Sequence, residues 1–396
     1  MNNLRISAFF TPQLILFFAI LLMFTSCRTS EDPIRIGATM SLSGSLSTQG
    51  IAAANGYRLC ETDLNHEEGL FGRPIEISIY DDESNPERAI DLYKQLITEE
   101  GVDAILGPYG STLTEAVAPV TEEHRYIHIS PLAATTSIWE QGREYLFMVL
   151  PPAELFLSGL MEMASQKGLD RVAILAQDAI FPQAAAAGAK ERAEVLGLEV
   201  LVFENYPTGT EDFDRYLHML KNEQIEVFAM AASPLDDFIK MTRQMKSANL
   251  NVKMFGTSGA VAQYQEALGV DAEYTFGLSA WEPTLPWPGI DEFVESYRDQ
   301  FGMEPSFHAA GAYSSCRLFA KAAREAGNLN PDLMREILLE METTTLFGPY
   351  AVDNRGYQTA NQGVFIQWQD GEKVVVWPEE VATGSPIIPA PPWNER

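Results

Sequence analysis

The chain has 396 residues, 46% of them hydrophobic, and a formal net charge of −28 at pH 7. This length exceeds the size at which a single hydrophobic core usually stops growing, so we expect a well-packed protein of two domains. The strong negative charge argues against nucleic acid and against an anionic membrane surface as partners, because both would repel an acidic protein.

The first residues have the pattern of a secretion signal over 1–26. Arg5 is the one charged residue in this stretch, and an apolar run at 14–24 is followed by two small polar residues and Cys27. The run is too short for a comfortable membrane span, which favours a signal peptide. The ending FTSC resembles the lipobox of bacterial lipoproteins and implies that Cys27 is the acylated first residue of the mature chain. The alternative is a plain cleaved signal with an incidental cysteine.

Short apolar strands and amphipathic helices then alternate, which predicts parallel sheets covered by helices on both faces. In the first half, strands are predicted at 34–40, 75–79, from 104 and at 126–129. A helix follows the first strand, with Ala53, Tyr57, Cys60 and Leu64 on one side. Asn85 and Pro86 have the pattern of a cap and a first helical residue, so a second helix is expected there.

The same alternation starts again near residue 171. The strands predicted in this half lie at 171–176, 199–203, 226–230, 252–255, 364–367 and 374–377. The predicted helices lie near 183–196, 211–221, 235–248, 290–301, 307–326 and 331–341. The Pro-rich tail over 381–396 is expected to be either an extended wrap or a loose end.

The segment AILGPYGS at 104–111 predicts a strand, a Gly-containing loop and a helix that begins near Ser111. A helix start leaves about four backbone N–H groups without partners and carries partial positive charge. A carboxylate or carbonyl oxygen can therefore be held at this loop, and Gly107 and Gly110 let it approach the backbone closely.

The order of the segments resembles the type I periplasmic binding proteins, specifically the leucine/isoleucine/valine-binding branch that serves ABC transporters. The resemblance rests on IRIGATMSLSG, GRPIEISIYDDESNP, VDAILGPYGS, YIHISPLAAT, TGTEDFDRYL and GPYAVDNRG, and it extends from Ile34 to Trp377. It implies an α/β fold with two Rossmann-like lobes, in which parallel sheets carry helices on both faces. A three-crossover hinge joins the lobes and lets them close on a ligand. The N-terminal lobe is expected to comprise 34–149 plus 281–346, and the C-terminal lobe 150–280 plus 347–380.

The resemblance also implies where the ligand binds. In the family, the loops after the third and fourth strands hold the ligand carboxylate, and Ser111 falls on the first of these loops beside Tyr109 and Gly110. The second loop contains Ala133, Ala134 and Thr135; Ala134 stands at the position of the family's Thr, and Thr135 fits only with a shift of one residue. Ser111 is expected both to cap its helix and to contact the ligand.

The facing lobe departs from the family pattern. Phe181 stands where an aromatic residue at a Tyr-Gly turn is usual, and Ser258 stands where an acidic residue neutralises the ligand ammonium. Asp178 and Asp236 are candidates to replace that acid, because a buried ammonium without a carboxylate is costly. The candidate ligand-binding residues are Gln49, Tyr109, Gly110, Ser111, Ala133, Ala134, Thr135, Phe181, Ser258 and Tyr313, of which Tyr313 has a core position as its alternative.

The sequence contains no pattern typical of catalysis or metal binding. Its five histidines show no metal-ligand spacing, and it has no nucleophile elbow, phosphate loop or dinucleotide motif. We therefore expect no cofactor, no metal and no catalytic residue. Besides Cys27, the chain has Cys60 and Cys316, and each falls on a predicted helix among apolar residues, so two buried thiols are expected rather than a disulfide.

These features predict a secreted solute-binding protein, periplasmic or at the cell surface, that is anchored through a lipid on Cys27. It is expected to capture a small polar organic ligand, an amino acid or an amide, and to pass it to an ABC permease in the membrane. An amide-type ligand sensor that feeds a regulator or receptor is the alternative. A hydrolase that uses the same cleft is a further one, and it would need a base beside a nucleophile.

Overall fold

The computed structural model describes residues 32–396, so the signal peptide and the lipidation site predicted at Cys27 lie outside the described residues. The strands are β1 (Ile34–Met40), β2 (Ile75–Asp81), β3 (Ala104–Ile105), β4 (His128–Ser130), β5 (Leu146–Met148), β6 (Arg171–Gln177), β7 (Glu199–Tyr206), β8 (Val227–Ala231), β9 (Met254–Thr257), β10 (Phe276–Ser279), β11 (Thr343–Thr345), β12 (Gly348–Tyr350), β13 (Val364–Gln369) and β14 (Glu372–Trp377). The helices are α1 (Ser47–His66), α2 (Pro86–Lys94), α3 (Ser111–Glu123), α4 (Ser158–Gln166), α5 (Ile180–Val195), α6 (Asp214–Asn222), α7 (Leu235–Ser247), α8 (Ala262–Leu268), α9 (Ile290–Phe301), α10 (Phe307–Ala326) and α11 (Pro331–Glu340). Among residues 32–396, no helix combines the length and the apolar character needed to cross a membrane.

The first lobe is built on a parallel three-stranded sheet with the strand order β2-β1-β3. β1 is buried along nearly its whole length, as expected for a strand covered on both faces. α1, α2, α3, α9, α10 and α11 pack in this lobe, and β4 and β5 form a separate parallel pair. The cap predicted at Asn85 is confirmed, since its side-chain oxygen accepts hydrogen bonds from the backbone N–H groups of Glu87 and Arg88.

The second lobe is built on a seven-stranded sheet with the order β14-β13-β10-β9-β8-β6-β7. Its strands β7, β6, β8, β9 and β10 are parallel, and β13 and β14 add two antiparallel strands at one side. The chain thus has the α/β fold with two Rossmann-like lobes that the sequence predicted. The residue boundaries of the lobes stay a prediction.

The predicted limits of the long elements agree closely with the structure, whereas several short elements were missed. β1, α9 and α10 have the predicted limits, and the sequence did not predict α4, α8 or β10. Phe181 was expected in a turn and instead lies in the first turn of α5.

The prediction of two free thiols at Cys60 and Cys316 is wrong, because the structure joins these residues in a disulfide. The physical reason is the close approach of α1 and α10. A Cβ atom at Gly56 would lie only 2.2 Å from the carbonyl oxygen of Ala309, so only glycine lets the helices come this near. The Cα atoms of the two cysteines are consequently 6.3 Å apart, within the usual range for a disulfide.

The Pro-rich tail lies against the second lobe. Gln367 on β13 binds the backbone of Ile387 twice, with its Nε2 donating to the carbonyl oxygen at 2.9 Å and its Oε1 accepting from the N–H at 2.8 Å. Further along the tail, the indole N–H of Trp393 donates to the carbonyl oxygen of Leu250 at 2.8 Å. These contacts hold the tail as an extended wrap.

Candidate functional site

A cavity lies between the two lobes, near the carboxyl ends of the parallel strands. The residues that line it are Leu46, Gln49, Tyr109, Gly110, Ser111, Thr112, Leu113, Leu132, Leu150, Phe156, Phe181, Ala232, Ser233, Leu235, Phe238, Ser258, Gly259, Val261, Phe307 and His308.

The loop between β3 and α3 is held from beneath by two buried tyrosines. The hydroxyl of Tyr57 donates to the carbonyl oxygen of Gly107 at 2.8 Å, and that of Tyr93 donates to the carbonyl oxygen of Leu106 at 2.5 Å. Burial raises the pKa of both hydroxyls, so they remain protonated donors. Gly110 follows with φ of +79°, a backbone conformation that favours glycine, and the space where its Cβ would point is open.

Ser111 is the first residue of α3, but the prediction that it caps this helix is wrong, because Gly110 is the N-cap residue and no side chain caps the helix. Ser111 instead connects the two loops in which the resemblance places the ligand carboxylate. Its Oγ accepts hydrogen bonds from the backbone N–H groups of Ala134 at 3.1 Å and Thr135 at 3.3 Å. Since a hydroxyl also has one proton to donate, that proton is available to an acceptor in the cavity. The N–H of Thr114 bonds to the carbonyl oxygen of Gly110, and the amides before it belong to the helix start, where intrahelical acceptors are absent.

The second lobe presents an aromatic residue and a serine to the cavity. Phe181 packs edge-to-face against Phe156, with ring centroids 5.0 Å apart. The Oγ of Ser258 is hydrogen-bonded to both the backbone N–H and the carbonyl oxygen of Ala232, at 3.1 Å each. The hydroxyl of Ser258 is thus used within the protein.

No carboxylate takes the place of the missing acid in the cavity wall formed by residues 32–396. Asp178 and Asp236, the two predicted replacements, are exposed and do not line the cavity. Asp237 is buried nearby in sequence, but the hydroxyl of Tyr206 binds its Oδ2 at 2.9 Å and the Nε2 of Gln177 does so at 3.4 Å. Burial raises the pKa of Asp237, and this residue does not line the cavity.

Gln49 connects the two lobes across the cavity. Its Nε2 donates to the backbone carbonyl oxygen of Ser233 at 3.1 Å, while its Oε1 has no hydrogen-bond partner within the described part of the chain. Gln49 is only 5% exposed, so leaving this oxygen without a hydrogen-bond donor is costly.

His308, at the start of α10, is a cavity residue that the sequence analysis considered only as a metal ligand. Its ring lies 3.8 Å from that of Phe307 and 5.5 Å from that of Tyr109, measured between centroids. Burial, with a smaller contribution from the charge of Lys373, lowers its pKa to about 3, so His308 is neutral at physiological pH. Residues 32–396 contain no group of three side chains suited to hold a metal ion.

Replacing His308 by Phe is expected to make the protein less sensitive to acid. The pKa of His308 is about 3 in the folded state against 6.5 normally, so between these pH values the unfolded chain binds a proton that the folded chain does not. The free energy of unfolding therefore falls as the pH falls through this window. Between pH 7 and pH 4.5 the variant should lose about 1 to 3 kcal/mol less than the wild type in urea titrations.

The control for this prediction is His218→Phe, since His218 is exposed on α6. Its pH dependence should match that of the wild type. Equal acid sensitivity of His308→Phe and the wild type would show that His308 is protonated in the folded protein near its ordinary pKa.

The ten predicted site residues fall into three groups. Six of them line the cavity: Gln49, Tyr109, Gly110, Ser111, Phe181 and Ser258. Ala133, Ala134 and Thr135 are buried one layer behind, where the last two position Ser111. Tyr313 lies outside the cavity, in a groove along α10, where its hydroxyl donates to Asp63 at 2.8 Å.

Sequence reasoning missed much of the apolar wall. Phe156, Phe238 and Phe307 line the cavity together with His308. No local pattern distinguishes an apolar residue that faces a cavity from one that faces the core, so these residues needed the folded structure. The N-terminal position of Phe307 and His308 on a predicted helix is the one signal available.

The fold and the site define a two-lobed binding protein with a cavity between its lobes. The family model for periplasmic binding proteins matches residues 33–373. The chain is 25% identical over 376 residues to Leu/Ile/Val-binding protein homolog 8 of Brucella abortus (strain 2308). The alignment covers 88% of this chain and 91% of the relative.

Two of the solved structures with a similar fold have a ligand bound. The branched-chain amino acid transporter substrate-binding protein LivJ from Streptococcus pneumoniae, in complex with isoleucine, has a TM-score of 0.79 and 22% identity, and the match covers 88% of this chain and 100% of LivJ. An ABC transporter solute-binding protein from R. palustris, in complex with benzoate, has a TM-score of 0.77 and 17% identity, with 87% and 95% covered. The chain belongs to the periplasmic binding protein family, in its type I, Leu/Ile/Val-binding branch. This family consists of solute-binding proteins.

Proposed function

We propose that the chain is an extracytoplasmic solute-binding protein that captures a small organic ligand by closure of its two lobes and delivers it to an ABC transporter. The observation that carries this proposal is the cavity that both lobes line and that the bond from Gln49 to Ser233 bridges. A ligand held there contacts both lobes at once, so its binding favours the closed arrangement.

The relatives support this proposal in two ways. The curated relative is a Leu/Ile/Val-binding protein homologue, and LivJ is a transporter substrate-binding protein. The ligands of the two similar structures, isoleucine and benzoate, show that this fold accommodates both an amino acid and an aromatic carboxylate. A periplasmic or cell-surface location with a lipid on Cys27 is part of the proposal and rests on the sequence of 1–27.

The lobe boundaries are proposed from helix packing and strand pairing. α9 and α10 pack on α1 of the first lobe, and β10 and β13 pair in the sheet of the second lobe. The chain therefore passes between lobes after β5, after β10 and before β13. These passages would form the hinge about which the lobes close.

No observation favours the hydrolase alternative. Ser111 and His308 both line the cavity, but the pKa of His308 is about 3, and so weak a base gives little driving force for deprotonating a serine. The sensor alternative uses the same binding step and differs only in the partner that receives the closed protein.

Ligand binding and closure are tested together on the purified chain. We expect at least one member of a panel of amino acids, carboxylates, amides and nucleosides to raise the melting temperature, since a ligand at 100 times its dissociation constant adds about 2.7 kcal/mol. The same compound should reduce the radius of gyration in small-angle X-ray scattering. Sucrose at equal concentration controls for unspecific stabilisation.

The proposal fails if no compound of the panel shifts the melting temperature or the radius of gyration. Turnover of a panel compound, with a product that appears in proportion to protein concentration, would instead indicate an enzyme.

A further inference from the structure

The chemistry of the cavity identifies the class of ligand more narrowly, on the condition that the proposed binding function is right. An amino acid carries an ammonium group, which needs a carboxylate when it is buried. Within residues 32–396 the cavity wall has no formally charged side chain. The hydroxyl of Ser258, which lines the cavity on the second lobe, is already bonded to Ala232.

The carboxylate end of a ligand can bind at the start of α3, a helix of 13 residues. The proton of Ser111 and the amides of the helix start point to an anion or a carbonyl oxygen, and the open side of Gly110 lets it approach. Hydrogen bonds of this kind stabilise a carboxylate without any cation. The cavity therefore has a place that can bind an anion, but its wall, as formed by residues 32–396, offers no carboxylate to bind a cation.

A second observation, independent of the helix start, also indicates a ligand. Gln49 lines the cavity, and its Oε1 is buried without a hydrogen-bond partner among residues 32–396. The bond of its Nε2 to Ser233 identifies which end of the amide is the oxygen. A neutral amide oxygen is a good acceptor for a hydroxyl or an N–H group. It is a poor substitute for a carboxylate beside an ammonium.

The walls between these polar points are apolar and combine aliphatic with aromatic side chains. Four phenylalanines contribute to them, Phe156, Phe181, Phe238 and Phe307. Aromatic side chains pack best against flat rings in offset or edge-to-face arrangements, as Phe156 and Phe181 already do with each other.

We propose that the cavity binds an aromatic monocarboxylate that lacks an ammonium group, with its carboxylate at the start of α3 and a hydroxyl group that donates to the Oε1 of Gln49. Such a ligand has one negative charge, which binds at the start of α3, and no positive charge that would need a carboxylate. Its ring packs against the phenylalanines of the cavity wall.

The decisive experiment compares matched ligands on the wild-type chain by isothermal titration calorimetry. 3-Phenylpropanoate and L-phenylalanine differ only in the ammonium group, and 3-phenylpropanamide lacks the negative charge. We expect 3-phenylpropanoate to bind at least tenfold more tightly than either. Equal or tighter binding of L-phenylalanine or of the amide overturns the proposal while the binding function stands, whereas failure of every compound in the wider panel removes the binding function itself.

The hydroxyl is tested with benzoate and its three monohydroxy derivatives. At least one derivative should bind at least threefold more tightly than benzoate, and this preference should disappear in Gln49→Leu, which keeps the size of the side chain. If no derivative binds more tightly than benzoate, the assignment of Gln49 is wrong.

The carboxylate position is tested with Ser111→Ala, for which Ser247→Ala on the exposed end of α7 is the control. We expect Ser111→Ala to weaken 3-phenylpropanoate by at least tenfold and the amide by less, and the control to change neither. An equal loss for both ligands would contradict the placement of the carboxylate at Ser111. Ser111→Ala also removes the bonds from Ser111 to the loop at Ala134 and Thr135. The comparison of ligands on the wild-type chain does not depend on this variant and tests the proposal by itself.

Discussion

Ser258→Glu is expected to reverse the ligand preference of the cavity. The variant places a carboxylate in the wall of a cavity that has no other formally charged side chain among residues 32–396. Repulsion between two carboxylates at low dielectric should weaken 3-phenylpropanoate by about 100-fold, roughly 2.8 kcal/mol. L-Phenylalanine or L-leucine should bind about tenfold more tightly than to the wild type, because the ammonium gains a partner. Calorimetric titrations of both ligands measure the change.

The matched control for this prediction is Ser258→Gln. It has nearly the same size as the glutamate variant and equally loses the bonds from Ser258 to Ala232, but it adds no charge. Both ligands should therefore weaken by similar factors in this variant. If the two variants show the same ratio of affinities for acid and amino acid, the side chain at 258 does not face the nitrogen end of a ligand, and another part of the cavity decides between them.

The long elements could be predicted because their signals are local. β1 and β2 carry closely spaced apolar residues, and α10 has its predicted limits because Gly327, with φ of +71°, ends it in the left-handed conformation that glycine favours. β10 has four residues and depends on its pairing with β9 and β13, which come from other parts of the chain. A strand of that kind has almost no sequence signal of its own.

The site residues likewise divide into those that a local sequence pattern predicts and those that depend on the folded structure. Tyr109, Gly110 and Ser111 were found because a strand, a loop and a helix start form a continuous pattern. Tyr313 follows His308 by five residues on α10, which turns it about 140° around the helix axis, away from the cavity and toward Asp63. Periodicity gives that angle, but it does not tell which face of the helix meets the ligand.

The disulfide between Cys60 and Cys316 is expected to contribute about 2 to 5 kcal/mol to the free energy of unfolding. It joins residues 256 apart in sequence, and so long a loop loses much conformational freedom in the unfolded chain. The double variant Cys60→Ala/Cys316→Ala should therefore unfold at a lower guanidinium concentration than the wild type. While it remains folded it should keep its ligand affinity, because the packing of Gly56 against Ala309 still holds α1 to α10.

Reductant separates the loss of the cross-link from the loss of two side chains. Dithiothreitol should lower the stability of the wild type toward that of the double variant, and it should leave the double variant unchanged. Thiol titration of the unfolded chain without reductant gives an independent answer, since the wild type should expose no more reactive thiols than the double variant. Two additional thiols in the wild type would show that both cysteines are reduced. The pair of helices α1 and α10 would then be stabilised by packing alone, because their apolar contacts do not depend on the covalent bond.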